Sequence, residues 1–263
     1  MPQNIPTRFS PSSNRPPATD PFDGVLLVDK PAGPTSHDIV AGIRRVFRID
    51  KVGHGGTLDP NATGLLVLLL GRGTRLSAQI MGGDKNYEGV MRLGRTTNSQ
   101  DIDGETIEEK PCEGITAEQI QAQMDARLGD SFQTPPMVSA VKLHGVPLYK
   151  LARKGQDVPR EPRFIHVYRF RLLRWESPLA AFDIVCSKGT YVRTLCHDIG
   201  QALGPGACLD ALRRTASGAL KIEDALPFDD ILKLPKEALA ARVLPFQKFL
   251  SATPPPAVTE KPQ

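Results

Sequence analysis

No stretch of this chain stays apolar for anything like the roughly 20 residues that a helical bilayer crossing requires. The first 21 residues, rich in Pro, Ser and Asn, hold no continuous apolar core of the kind a secretory signal needs. Neither a membrane span nor a secretory leader is expected, and the cytoplasm is the expected location. The four cysteines, Cys112, Cys186, Cys196 and Cys208, contain no C-x-x-C pair, which argues against a zinc ribbon and against a disulfide framework. They read as small buried hydrophobes. The five histidines, His37, His54, His144, His166 and His197, show no paired ligand spacing, so no metal is expected. Gly55 and Gly56 fit neither G-x-x-x-x-G-K-S/T nor G-x-G-x-x-G, so no nucleotide cofactor is expected either. A strong charge of one sign is also missing: the formal net charge is +4 and the pI near 8.9, compatible with a polyanionic partner without identifying one.

What is present suits a globular protein. Hydrophobic residues make up 40% and charged residues 24% of 263 residues, enough for one large domain with short appendages. Ten of the 24 prolines lie in residues 1–21 and 251–263, where apolar residues are sparse, so both ends are expected to be disordered tails. Gly24 to Asp29 reads as a buried strand, followed by a helix capped by Thr35 or Ser36 and marked by Ile39, Val40, Ile43, Val46 and Phe47. Gly64 to Leu70 is short and wholly apolar, as a buried strand would be, and Thr74 to Met81 reads as a helix. Tyr87 to Leu93 alternates like a strand, and Ala117 to Leu128 carries a helical stripe of Ile120, Met124 and Leu128. Phe164 to Trp175 and Ala181 to Ser187 are further strands, leading through Lys188, Gly189 and Thr190 into a helix that ends near Gly200. These elements predict an α+β fold with a mixed, largely antiparallel sheet and flanking helices. No internal repeat is visible.

Residues 134–163 are punctuated by Pro and Gly and hold six cations, Lys142, Lys150, Arg153, Lys154, Arg160 and Arg163, against two acids. Such a segment is either a solvated loop or a basic arm that closes on phosphates. Lys51 to Leu70, KVGHGGTLDPNATGLLVLLL, places one carboxylate, Asp59, in a Gly-rich turn before an apolar strand, with Pro60 pinning the chain after it. Locally this is an Asx turn or a device that aims a carboxylate into a cleft.

GHGGTLDPNATGLL closely resembles the signature of the tRNA pseudouridine synthase B family. GVLLVDKPAGPTSHD, DKNYEGVMRLGRTTNSQDIDGE, PPMVSAVKLHGVPLYKLARKG, and CSKGTYVRT followed by LDALRRTASG resemble the same family in the same order, across about residues 24 to 220. The resemblance implies the pseudouridine synthase fold with a central active-site cleft. It also implies an isomerase, an intramolecular transferase acting without cofactor on the uridine at position 55 in the T loop of tRNA. Asp59 is then the catalytic carboxylate, Arg193 its charge partner, and Tyr87 the active-site tyrosine. Tyr191 and Leu212 match positions lining the pocket of a flipped uracil, and His54 the histidine that props the space the base leaves. Lys30, Lys142, Lys150, Arg153 and Lys154 are carried over as substrate contacts.

The chemistry is consistent with those residue types. Pseudouridine formation breaks the C1′–N1 bond, turns the uracil in place, joins C5 to C1′ and removes the C5 proton, with no redox change. A carboxylate beside C1′ serves as nucleophile or as counter-charge to the ribose, as in glycosidases, and the buried target base must first be flipped out.

The expected division is a catalytic domain over 22–220, containing the basic thumb-like segment 134–163, and a short extension over 221–250, too small for the PUA domain that many members carry. Competing readings are a non-catalytic tRNA-binding or folding module, a base-excising hydrolase, and a relative that needs a guide RNA and partner proteins. The hydrolase usually needs a second acid, and Asp101, Asp103 and Glu105 read as a solvated acidic turn. The expected partner is the T arm of tRNA, with the enzyme acting as a monomer that needs no protein partner.

Overall fold

The computed structural model describes residues 20–139, 142–143, 145–148, 156 and 158–250. Residues 1–19 and 251–263, all but residues 20 and 21 of the tails expected over 1–21 and 251–263, and part of the basic segment lie outside the described residues.

The chain begins with strand β1 (Gly24–Lys30), helix α1 (Ser36–Phe47), β2 (Val52–His54) and β3 (Thr63–Leu70). A 3-10 turn (Gly71–Leu76) runs into α2 (Ser77–Gly82), then β4 (Lys85–Leu93), the hairpin β5 (Arg95–Thr97) and β6 (Thr106–Glu109), α3 (Ala117–Asp125) and β7 (Gly129–Gln133). Beyond the small pair β8 (Lys142–Leu143) and β9 (Val146–Pro147) come the long β10 (Arg163–Glu176), β11 (Leu179–Cys186), α4 (Val192–Leu203) and β12 (Ala207–Ser217). The C-terminal part holds β13 (Leu220–Lys221), β14 (Leu226–Pro227), α5 (Phe228–Ile231), α6 (Lys236–Ala240), β15 (Leu244–Pro245) and α7 (Gln247–Leu250).

Eleven strands form one sheet in the order β14-β1-β3-β12-β4-β11-β10-β7, with β2, β13 and β15 added beside β3, β12 and β1. Along that path only β1–β14 and β3–β12 are parallel. The α+β architecture expected from the sequence is the observed one.

β1 and β3 are continuous apolar runs because both faces are covered. Leu26, Val28, Leu66, Leu68 and Leu70 join the core under α1, whereas Val25, Leu27, Leu65, Val67 and Leu69 join Leu76, Ile80 and Phe246 on the other face. α1 starts at a capping box in which the Thr35 hydroxyl accepts from Asp38 N and Asp38 accepts from Thr35 N. A third core lies where α3 and α4 cover β10, β11 and β4, built on Phe170, Phe182 and Ile184.

Three elements differ from expectation. The helix expected over 74–81 is a 3-10 turn followed by α2. α3 stops at Asp125, where Arg127 turns back to donate to the Gln123 carbonyl at 2.9 Å, and Leu128 is left exposed. β12 is a strand of 11 residues that the pattern LDALRR did not suggest. The segment after residue 220 is stitched into the sheet: β14 and β15 both pair with β1, and Ile231, Leu239 and Val243 enter its core.

The sheet changes character between β3 and β12, whose parallel pairing is only Arg213↔Thr63 and Arg214↔Gly64. Gly64 permits this approach: its φ is +95°, and a Cβ there would lie 2.4 Å from the Arg214 carbonyl oxygen.

α4 approaches β12 just as closely, since a Cβ on Gly200 would lie 2.1 Å from Ala207 N and 2.3 Å from Gly206 C. Helix propensity alone would make Gly200→Ala favourable by about 1 kcal/mol, but the clash is with backbone and should win. The variant should lose about 2 kcal/mol in urea denaturation; a stability equal to or above the parent's would show that α4 and β12 are not in tight contact.

Candidate active site

The turn preceding β3 is pinned from three sides by buried side chains. Below it, the Lys30 ammonium, wholly out of solvent, donates to the carbonyls of Pro31 at 2.9 Å, Pro60 at 2.7 Å and Ala62 at 2.7 Å. From α1, the Ser36 hydroxyl donates to Leu58 O at 3.0 Å and accepts from Leu58 N at 2.9 Å. From β12, the Arg214 guanidinium, 2% exposed, donates to Leu65 O at 2.7 Å, Gly56 O at 3.1 Å and Thr57 O at 3.3 Å. With its backbone so held, the turn keeps the Asp59 side chain partly open to solvent. The carboxylate is bound by Arg193, Nε to Oδ2 at 3.0 Å, in place of the Asx turn that local sequence also allowed.

Arg193 occupies the first turn of α4, where Tyr191 is the N-cap and its backbone is locked to Gln133 by bonds of 2.8 and 3.0 Å. Its guanidinium, nearly sealed from water, also donates to Ser99 O and Val138 O, each at 2.9 Å, and pairs with Asp101 Oδ2 at 3.3 Å. Asp101 in turn accepts from the Ser99 hydroxyl at 2.5 Å, and its loop is tied to β12 by Ile102 N donating to Leu209 O at 2.8 Å. This corrects the expectation of a solvated acidic turn. Asp101 faces inward with its side chain 19% accessible. Asp103 accepts a hydrogen bond from Asn61, and Glu105 is exposed as expected.

The Asp59 side chain remains 47% accessible. Loss of water elsewhere pushes its carboxyl up from the ordinary range, the Asp101 charge adds to this, and Arg193 and Lys30 oppose it. Asp103 is raised too, by burial and then by Asp101 and Asp59. Burial lowers Lys30 to about 8, against the pull of Asp59. Lys30 was expected to touch substrate; with its three protons committed to carbonyls under the turn, it is instead a support of that turn.

Tyr87, on β4, lies opposite Arg214 of β12 and Ile184 of β11. Together with Leu212 it packs against both the α1 core and the α3–α4 core, so the two side chains stand where the halves of the molecule meet. Burial raises the phenol pKa, the Arg214 charge and its hydrogen bond to the hydroxyl lower it, and Asp59 is close enough to raise it. Burial, then the charges of nearby Arg214 and His37, lowers the pKa of His54 at the end of β2, and its Nδ1 has no hydrogen-bond partner among the described residues.

The structure thus joins Asp59, Arg193 and Tyr87 in one cluster and adds Asp101 and Arg214, which the sequence reading did not single out. Leu212 borders the cluster through β12, His54 through the charge of Arg214, and Tyr191 through α4. Lys142 lies in β8 with its side chain undescribed, and Lys150, Arg153 and Lys154 lie outside the described residues. Chemically the arrangement offers an ionisable carboxylate on a fixed turn, a buried cation behind it, and Tyr87 and Leu212 packed beside it.

Comparison with known proteins identifies the family. The model of the TruB family pseudouridylate synthase N-terminal domain matches residues 44–192, and that of the tRNA pseudouridylate synthase B C-terminal domain matches 193–251. The chain is 53% identical to a tRNA pseudouridine synthase B of Opitutus terrae over 85% of its own length and 93% of the relative's. It is 48% identical to one of Syntrophotalea carbinolica over 80% and 69%. Among solved structures, a Cbf5-Nop10-Gar1 complex is similar at 31% identity and a TM-score of 0.68, covering 87% of this chain and 61% of that one. An H/ACA RNP bound to a substrate RNA containing 2′-deoxyuridine is similar at 29% identity and a TM-score of 0.64, with the chain spanning 60% of that protein. With both family models matching in sequence over the strands, turn and helix that build the Asp59 cluster, the chain belongs to the TruB family of pseudouridylate synthases.

Proposed function

We propose that this protein converts uridine to pseudouridine in tRNA, acting on the T-loop uridine at position 55, with Asp59 as the catalytic carboxylate. The observation that carries the reading is the contact of Asp59 with the buried Arg193 on a turn whose backbone is held by Lys30, Ser36 and Arg214. A carboxylate held this way faces C1′ of a flipped nucleotide without having to reorganise. Its charge, kept available by Arg193, compensates the positive charge that develops on the ribose as C1′–N1 breaks.

The freed uracil must turn while still bound, which calls for flat walls and few fixed hydrogen bonds. Tyr87 and Leu212 supply such walls, Tyr191 borders them at the mouth of α4, and His54 props the space the base vacates. Once C5 has joined C1′, C5 loses its proton and N1 ends with one, so the isomerisation balances, and Tyr87 is assigned a part in that proton transfer. Asp101 lies behind Arg193 and tied to Ser99, which suits it to hold the guanidinium rather than to activate water as a hydrolase's second acid would. The intact set of Asp59, Arg193 and Tyr87 favours catalysis over a module that only binds or folds tRNA. The basic segment 134–163, with Lys142, Lys150, Arg153 and Lys154, would grip the phosphates of the T arm. The enzyme acts in the cytoplasm as a monomer without protein partners.

Asp59→Asn is isosteric and should leave tRNA affinity and urea denaturation near wild type while single-turnover pseudouridine formation falls below about 1%. Retention of more activity than that removes Asp59 from the chemistry. Because the ionised form is required and burial raises the Asp59 pKa, the rate should fall on acidification with a midpoint above the ordinary Asp value of about 3.9. Arg193→Met, which removes the opposing cation, should move that limb to still higher pH; a limb that does not move would show that Arg193 does not set the charge of Asp59.

Arg214 acts on the reaction through the turn it holds. Arg214→Lys keeps the charge but cannot reproduce three bonds worth about 0.5–1.5 kcal/mol each. We expect kcat to fall at least about tenfold at a temperature where the variant is fully folded, with KM little changed. Loss of stability alone, at an unchanged kcat, would make Arg214 purely structural.

A further inference from the structure

About seven strand residues separate the two ends of β1, so its far end lies roughly 20 Å from Lys30 and the Asp59 turn at about 3.3 Å per residue. There, between the C-terminal end of α1, the 3-10 turn after β3 and the start of α6, the surface holds a cavity of about 330 Å³. Five cations border it against three carboxylates, Asp20, Asp23 and Asp50. Two of those carboxylates are already occupied by the backbone: Asp20 Oδ1 accepts from Phe22 N and Asp23 Oδ1 from Arg72 N, at 2.8 and 2.7 Å. Among the described residues Arg72 is the one bordering cation in an ion pair, with Asp23 at 3.9 Å. Arg48, Lys51, Arg75 and Lys236 form no ion pair among the described residues, and Lys236 rests on the Phe22 ring.

One of these cations is held at a cost. Arg48 caps α1 with φ +53°, a conformation that glycine adopts freely and that costs other residues of order 1 kcal/mol. The cation is not needed there to balance the helix terminus, because Arg44 and Arg45 already lie in the last turn. Arg44 also fixes the following loop by donating to Val52 O at 3.0 Å, so the cavity rim is constrained.

We infer that this cavity is a second RNA-contact site, a subsite for backbone phosphates of the substrate tRNA outside the T arm, formed by Arg48, Lys51, Arg75 and Lys236. Unpaired cations converging on a concavity suit phosphodiester oxygens, which accept from several donors and need no base identity. A tRNA engaged at Asp59 extends well past its T loop, and a site on the same molecule some 20 Å away adds affinity through a second anchor without touching the reaction. The inference rests on the reading of the chain as a tRNA-modifying enzyme, and the following comparison separates the two.

Wild type and the triple variant Arg48→Gly, Lys51→Ala, Arg75→Ala are compared for binding to full-length unmodified tRNA and to an isolated T-arm hairpin, across a salt series. Arg48→Gly relieves the positive φ, so the fold should hold; Lys51→Glu with Arg75→Glu provides a second variant that leaves the cap untouched. Both variants should weaken full-length tRNA binding about fivefold or more and reduce the magnitude of the salt slope by about two units. Hairpin affinity and the single-turnover rate at saturating RNA should not change. Wild-type tRNA affinity in both variants, or an equal loss for hairpin and full-length tRNA, overturns the inference. So does tight calorimetric binding of inorganic phosphate that the variants abolish while tRNA affinity stays the same, which would make the cavity a free-anion site. Failure of the functional reading itself would appear differently, as wild-type protein forming no pseudouridine in either RNA.

Discussion

A guanidinium removed from water must be fully partnered, because an unpaired buried charge costs several kcal/mol. Arg193 meets that requirement with oxygens from three separate parts of the chain: the turn at Asp59, the loop at Ser99 and Asp101, and the carbonyl of Val138 just beyond β7. Each of these segments is thereby fixed relative to α4. Of its two carboxylate partners, Asp59 is the more open to solvent, and so the one whose charge a ligand can meet.

Around this pair the molecule spends cations where most proteins spend hydrophobes. Lys30 and Arg214 hold the turn by its carbonyls. Lys85, 6% exposed and lowered to about 8 by burial, donates to the Ile80, Met81 and Gly83 carbonyls at the end of α2, two residues before Tyr87. Such bonds fix backbone in a way apolar packing does not, since they impose direction as well as proximity. The result is a carboxylate surrounded by positive charge that is already committed. That field favours its ionised form without offering a mobile competitor for substrate, and burial works in the opposite sense to keep the carboxyl titratable.

Much of the scaffold was legible in the sequence because it obeys local rules. The apolar runs of β1 and β3 follow from burial on two faces, and Thr35 three residues before Asp38 is a capping box that the structure forms. β12 was not legible. Its register shifts between Leu209 and Ala211 and between Arg214 and Ala216 break the two-residue alternation, and a strand carrying a sealed arginine does not look like a core strand. Asp101 was missed for the same reason: Asp, Ile, Asp and Gly in succession read as a wet turn, and only a distant arginine turns the first of them inward. Lys30 was misplaced because a lysine at a strand end resembles a phosphate contact until its three carbonyl partners are known. The family resemblance placed Asp59, Tyr87 and Arg193 where the structure now joins them, but it did not explain what holds Asp59 still.

The central claim is that this geometry isomerises one uridine of tRNA with nothing but protein side chains. Its most direct test is incubation of the purified protein with an unmodified tRNA transcript in the absence of any cofactor, followed by nucleotide-resolution mapping of pseudouridine. The account predicts conversion at the T-loop uridine, position 55, and at no other uridine. A folded protein that binds the transcript but yields no pseudouridine, or yields it only at another position, would contradict it.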